Sequence, residues 1–331
     1  MSSFPTQSLL VLRLSALGDV LHTLPAVALL REALPATRLG WVVEAPYREL
    51  VEMVAPVDAV FSVATKRWRR EPLQASTWSA IAEVRRDLVA FAAGQSSVDF
   101  QGLIKSALTG SLAGATLRYG FAAPAIRERL ATLFINRPVE VDPGLHIVEI
   151  NASLARAVTG RDLPTPRIDL TSFCADPSGA VELALLRGSV VLNPGAGQRA
   201  KMWPTERFGQ LARLIRQESG IACIVVWGPG EKMLAEEVSV AGDAFLAPET
   251  NLRELAFLLR QARLVVSGDS GPLHLAAALG TNVVGLYGPT SVARNGPWGQ
   301  LEHCVESPGD MKEMNSISVD MVFEKVKELL N

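Results

Sequence analysis

Asp19 stands in Ser15-Ala16-Leu17-Gly18-Asp19, a small polar break between an apolar run and a helically spaced segment. A carboxylate at such a junction can serve as a general base, taking the proton of a bound hydroxyl. It can equally cap the helix, a role for which Asp is favoured. Lys201 follows Asn193-Pro194-Gly195-Ala196-Gly197-Gln198-Arg199-Ala200. Small residues there admit a close ligand, and backbone N–H groups with one ammonium suit a phosphate. An ordinary Gly/Pro loop with a solvated lysine is the competing reading. Asp269-Ser270-Gly271-Pro272-Leu273-His274 puts a carboxylate, two backbone N–H groups and an imidazole around a helix start. Helix N-termini favour phosphate, although an N-capped helix with a core histidine reads as well. Together the two loops point to a diphosphate-containing donor held by the second half. In the first half, Lys66-Arg67-Trp68-Arg69-Arg70 is a basic segment around an indole, and Gln101 and Lys105 follow Asp99 at another junction. Arginines suit carboxylate and phosphate; a solvated surface is the alternative.

These groups need a scaffold that gathers strand ends. Strand-like runs at 8–14, 39–43, 59–63, 98–100 and 116–119 alternate with helical patterns, notably 78–93. The second half repeats the plan, with strands at 190–192, 221–226, 264–266 and 283–286. Its helices read at 205–217, 252–261, 273–279 and 319–330. Residues 160–179 carry Pro164, Pro166 and Pro177 with little periodicity and read as a linker. Such alternation predicts an α/β chain of two doubly wound, Rossmann-like domains facing a cleft. In open parallel sheets ligands bind beyond the carboxyl ends of the strands, where all of these residues fall.

A length of 331 residues suits about two domains, and 48% hydrophobic content supplies two cores. A net charge of -2 sets up no global field toward nucleic acid, so anionic ligands must be met by local clusters. Cys174, Cys223 and Cys304 are odd in number and widely spaced, which reads as reduced thiols in a cytosolic protein. The N-terminus lacks the pattern of a signal peptide, and no run approaches the roughly 18–20 apolar residues of a membrane span. Neither Gly-rich loop has Walker A or dinucleotide-fingerprint spacing. The four histidines lack metal-ligand spacing. Diphosphate charge would then fall to Lys201 and helix dipoles.

Taken in order, several motifs resemble family 9 glycosyltransferases over nearly the whole chain, and their type I subgroup in particular. These are Arg13 through Pro25, Lys66-Arg67-Trp68-Arg69, Asp99 through Ala107, Asp269 through Leu275, and Tyr287-Gly288-Pro289-Thr290. The resemblance implies a GT-B fold with an acceptor domain at 1–170 and a nucleotide-sugar domain at 171–310. A C-terminal helix at 311–331 would pack back on the first domain. It also implies inverting, metal-independent transfer of L-glycero-D-manno-heptose from ADP-heptose to the inner Kdo of Kdo2-lipid A, without a resident cofactor. By carry-over Asp19 is the general base and Lys201 neutralises the departing ADP. Ala196, Gly197, Asp269, Ser270, Gly271 and His274 line the donor, Glu231 binds its ribose, and Thr250 lies beside the adenine. Ser15, Arg67, Arg69, Gln101, Lys105 and Arg127 are the acceptor-binding candidates. Arg127-Glu128-Arg129 departs from the pattern by carrying Arg where many type I enzymes have Pro. The implied location is cytoplasmic and peripheral on the inner face of the plasma membrane, with Trp68 and its basic neighbours against the anionic surface. Other readings are a family 9 transferase for a different sugar, a nucleotide-sugar epimerase of the same fold, and a non-catalytic nucleotide-sugar-binding module.

Overall fold

A computed structural model describes residues 7–123, 125–174, 187–310 and 312–330. The chain divides into two compact units, Met1–Ile168 and Asp169–Asn331. The first holds strands β1 (Ser8–Leu12), β2 (Arg38–Glu44), β3 (Ala59–Val63), β4 (Ser96–Asp99), β5 (Leu117–Phe121) and β6 (Arg137–Val139). They pair in parallel in the order β3-β2-β1-β4-β5-β6. Its helices are α1 (Leu17–Ala33), α2 (Arg48–Val54), α3 (Thr65–Arg70), α4 (Ala75–Ala92), α5 (Ile104–Leu112) and α6 (Ile147–Thr159).

The second unit repeats the design. Its strands are β7 (Val190–Asn193), β8 (Cys223–Val225), β9 (Phe245–Leu246), β10 (Leu264–Gly268), β11 (Val283–Tyr287) and β12 (Cys304–Glu306). They run parallel in the order β12-β11-β10-β7-β8-β9. The helices are α7 (Thr205–Ser219), α8 (Lys232–Gly242), α9 (Leu252–Gln261), α10 (Gly271–Ala278), α11 (Val292–Asn295) and α12 (Val319–Leu330). In each sheet the winding reverses between the first and fourth strands, β1 and β4, then β7 and β10. The crevice beyond the carboxyl ends at such a reversal is the ligand position of open α/β sheets.

The sequence chemistry explains the layering. Parallel strands covered on both faces are apolar throughout, and every residue of β1, β10 and β11 is buried. α1 is buried nearly all round because α6 packs against it. There Asn151 donates from Nδ2 to the His22 carbonyl at 3.0 Å. In the second core Trp203 and Phe208 meet edge to face, with ring centroids 4.9 Å apart.

The elements read as 59–63, 252–261 and 319–330 form with those bounds. The apolar run at 8–14 ends as a strand at Leu12, because Arg13 and Leu14 begin the turn into α1. Strands β6, β9 and β12 were not anticipated; each has two or three residues at or near a sheet edge, too few to show a period. α6 was also not anticipated. The part of the expected linker beyond residue 174, with Pro177 and Gly179, lies outside the described residues. The terminal helix lays its stripe Val322, Val326 and Leu330 beside Trp203, Phe208 and Leu211 in the second unit's core. Trp203 Nε1 fixes the approach by donating to the Ile317 carbonyl at 3.0 Å.

α7 and α8 cross where Gly209 meets Gly242. A Cβ on Gly209 would lie 2.6 Å from the Ala241 Cβ and 3.3 Å from the Gly242 nitrogen. Gly209→Val should therefore cost the second unit about 1–3 kcal/mol by overpacking. Its thermal midpoint should fall by roughly 2–4 °C per kcal/mol. An unchanged midpoint in calorimetry would contradict the close crossing.

Candidate functional site

Asp19 sits at the winding reversal of the first sheet, in the first turn of α1. The N-cap is Ala16 and Asp19 is the third helical residue, from which its carboxylate reaches back to the N-cap backbone in a capping box, so the capping reading holds from the N3 position. Its Oδ2 accepts only a long contact, 3.4 Å, from the Ala16 N–H. Its stronger partners are two guanidiniums. Arg13, 1% exposed, donates from one terminal nitrogen to Oδ1 at 3.0 Å and from Nε to the Asp19 carbonyl at 3.2 Å. Arg127 donates to Oδ1 at 3.0 Å and to Oδ2 at 3.3 Å. Burial pushes the Asp19 pKa up, but Arg13 and then Arg127 outweigh it and hold the carboxyl at about 2. The group is an anion at neutral pH.

The supports of this carboxylate come from the neighbouring strand end. Arg13 also donates to the Phe100 carbonyl, just past β4. Gln101 is 2% exposed, and its side-chain oxygen accepts from the Leu14 N–H at 2.8 Å. Gln101 thereby helps to fix the Asp19 loop through its side-chain oxygen. Asp99, 1% exposed, accepts from the Gln101 N–H at 2.8 Å, the Gly102 N–H at 3.2 Å and the Ser106 hydroxyl at 2.9 Å. Burial outweighs these bonds and lifts its pKa to about 6.

Other acceptor candidates lie on the same edge of the sheet. Ser15 is half-buried in the β1–α1 loop, and Lys105 is half-buried in the first turn of α5. Arg67 and Arg69 are exposed on α3, which follows β3. Buried Glu44, at the end of β2, anchors that helix by accepting from the Thr65 N–H at 3.2 Å and from the Thr65 hydroxyl. Arg67 pairs with Glu71 at 3.1 Å. Trp68 is half-buried and packs against the first core. The exposed apolar side chains nearby are Leu73, 96% exposed, and Trp78, 62% exposed. Among the described residues no helix is long and apolar enough to cross a membrane.

The second reversal gathers an ammonium, a carboxylate and an imidazole. Lys201 Nζ lies 2.7 Å from Asp269 Oδ2, and His274 Nε2 lies 3.0 Å from Asp269 Oδ1. Burial raises the Asp269 pKa, but His274 and Lys201 more than offset this and hold it far below the usual carboxylate range. Asp269 therefore binds these two side chains and does not cap α10, whose N-cap is Ser270. Asn193, 2% exposed, knits the floor by donating to the Gly195 carbonyl at 3.0 Å and to Ser267 and Ser270 Oγ at 2.9 and 3.1 Å. The Ser270 hydroxyl thus faces the protein interior, which leaves the turn at Ser270–Gly271 to meet an anion by its backbone. Ala196 is half-buried and Gly197 exposed in the β7 loop.

Glu231 follows β8, and its Oε2 accepts from the Gly228 N–H at 2.9 Å. It lies over Gly195 so closely that a Cβ there would sit 2.1 Å from Oε2. Thr250 is half-buried beyond the end of β9. Arg13, Glu44 and Asn193 were not singled out as functional support from sequence. A charged or amide residue closing an apolar strand was the available signal for all three.

Asp99 gives a test of the first cluster. Its folded pKa lies above the unfolded value of 3.8, so its favourable contribution is complete below about pH 4. That contribution is lost as the pH rises through about 6, an amount of about 3 kcal/mol at 1.36 kcal/mol per pH unit. Asp19 has the opposite sign and acts lower, losing stabilisation as the pH falls from about 4 through 2. Asp99→Asn should therefore remove about 3 kcal/mol of pH dependence between pH 4 and 7 in urea unfolding. Equal slopes in the two proteins would refute the assignment.

The described geometry can be set beside known proteins. Residues 92–326 match the sequence profile of glycosyltransferase family 9 (heptosyltransferase). Lipopolysaccharide heptosyltransferase 1 of Salmonella typhimurium is 31% identical, with 96% of this chain and 99% of that protein covered. Escherichia coli heptosyltransferase WaaC, solved with ADP, is 28% identical and superposes with a TM-score of 0.81 over 97% of this chain and 99% of that one. The same enzyme with ADP-2-deoxy-2-fluoro heptose gives 29% identity and a TM-score of 0.80 over the same shares. The two six-stranded parallel sheets are those of the GT-B fold, and the chain belongs to glycosyltransferase family 9, the heptosyltransferases.

Proposed function

We propose that the chain is an inverting heptosyltransferase of lipopolysaccharide core biosynthesis, moving L-glycero-D-manno-heptose from ADP-heptose to the inner Kdo of Kdo2-lipid A. The observation that carries the reading is chemical equipment at both winding reversals: Asp19 in the first sheet, Lys201 with Asp269 and His274 in the second. The family supports the donor, since its member WaaC was solved with ADP and with a fluorinated ADP-heptose.

In this mechanism Asp19 takes the proton of the acceptor hydroxyl as that oxygen bonds to the anomeric carbon. The bond from that carbon to the diphosphate breaks, and ADP leaves with the electron pair. One displacement inverts the anomeric centre. Lys201 keeps donors to spare beyond its contact with Asp269, because an ammonium has three. Asp269 cancels much of its charge, so the N-terminus of α10 shares the diphosphate. Glu231 accepts from the ribose, and Thr250 lies on the adenine side. Arg67, Arg69, Lys105 and Arg127 meet the anionic groups of the acceptor, with Ser15 beside them. Because that acceptor is a lipid, the enzyme works at the inner face of the plasma membrane. Exposed Leu73 and Trp78 with the cations of α3 form the contact.

Mass spectrometry of Kdo2-lipid A after incubation with ADP-heptose tests the reaction; a gain of one heptose is expected, and an unchanged mass refutes it. Asp19→Asn should lower kcat by about 10²–10⁴, the usual worth of a general base, with ADP affinity nearly unchanged. Near-normal turnover would remove Asp19 from that role. Gly195→Ala should displace Glu231 and weaken ADP binding about tenfold, the loss of one bond to a charged group. Calorimetric titration showing wild-type affinity would detach Glu231 from the nucleotide.

A further inference from the structure

The two guanidiniums on Asp19 differ in kind. Arg13 is 1% exposed and bonded on several sides, to the Asp19 carboxylate and carbonyl and to the Phe100 carbonyl. It is a fixture. Arg127 is 41% exposed. Its backbone is nonetheless pinned. Ile126 before it is buried. Glu128 after it donates from its N–H to the Gly102 carbonyl at 3.0 Å and accepts from the Ile104 N–H at 2.7 Å. A fixed Cα under a solvent-facing guanidinium lets the side chain exchange one anion for another within its own reach.

We infer that Arg127 is a latch on Asp19 that an acceptor carboxylate opens, so that the base is released only when an acidic sugar occupies the site. The inference rests on Asp19 being the base. Two nitrogens of Arg127 already grip a carboxylate across both oxygens, at 3.0 and 3.3 Å. The planar fork that fits one carboxylate fits another. Arg127 is the more exposed of the two guanidiniums on Asp19, so an incoming anion meets a cation already presented at this edge of the sheet. When Arg127 turns to the incoming carboxylate, Asp19 keeps Arg13 on Oδ1, and Oδ2, left with only the long Ala16 contact, can take the acceptor hydroxyl. The same turn removes one of the cations that depress its basicity. Arg127 is thereby a positioning residue that makes transfer conditional on the acid group of the acceptor.

A double-mutant cycle on binding tests the exchange. The probe is the methyl glycoside of Kdo, titrated by NMR into the full chain as wild type, Asp19→Asn, Arg127→Ala and the double variant. The latch requires the probe to compete with Asp19. Asp19→Asn should tighten binding about tenfold when Arg127 is present and less than threefold when it is absent. The smaller gain measures removal of a nearby negative charge alone. Equal gains in both backgrounds overturn the latch. Inorganic phosphate is the second arm; coupling with phosphate and none with the glycoside overturns the assignment to a carboxylate. Binding of neither probe in any background overturns it as well. A readout independent of the Asp19 variant is the Arg127 side-chain resonance of ¹⁵N-arginine wild-type protein, assigned by its loss in Arg127→Ala. It should move on adding the glycoside and stay in place with the methyl ester of the probe. The two readings fail separately: heptose transfer by Asp19→Asn refutes the base, whereas equal binding gains refute the latch whatever the turnover.

Discussion

The first unit is organised around a buried cation. β1 is wholly buried and ends against Arg13, whose guanidinium is 1% exposed. A charge so placed is tolerable only with a counter-charge and a full set of acceptors. Asp19 supplies the charge; the Asp19 and Phe100 carbonyls supply the rest. These bonds fix where α1 starts, tie the ends of β1 and β4 together, and aim the carboxylate along the sheet edge. Trp41 joins from β2 by donating to the Arg13 carbonyl at 3.0 Å. Removing the Asp19 carboxylate altogether would take from Arg13 its directly bonded counter-charge, so a truncation there would disturb the loop as well as any chemistry. An amide of the same shape separates them better than a truncation.

The two units solve the same problem with opposite signs. Each places its polar cluster at the reversal of a sheet wound in the same order. In the first, an excess of guanidinium surrounds a carboxylate; in the second, Asp269 answers an ammonium and lies against an imidazole. The second is close to balanced, so an anion there depends on the backbone of the β10–α10 turn as much as on Lys201. Asn193 is important for that reason: its amide holds both serines and the Gly195 carbonyl, and so fixes the turn.

What could be read from sequence follows from how local each cause is. α9 was bounded correctly because Asn251 caps it and Glu254 returns the bond to the Asn251 N–H at 2.8 Å, a signal contained in four residues. Asp19 was visible as a carboxylate at a strand–helix junction, but its state was not. Arg127 lies 108 positions away, and only the parallel sheet brings the two together. The same holds for Lys201 and Asp269, 68 positions apart. The bond from Gln101 to the Leu14 N–H was hidden because a polar residue beside a ligand crevice and one that satisfies a neighbouring backbone look alike in sequence. The short outer strands were hidden by their length, and the half-buried packing of Trp68 by its cationic neighbours.

The place of α12 has a consequence for the order in which the polypeptide becomes native during synthesis. The first unit draws all of its elements from residues preceding 168, so it can close while the rest is still being translated. The second begins its sheet at Val190 yet lays Val322, Val326 and Leu330 into its core. Until that helix has emerged, apolar surface on α7 and on the β10–β12 side of the sheet stays open to water and to chaperones. The second unit therefore matures late and in one step, after the first is already folded.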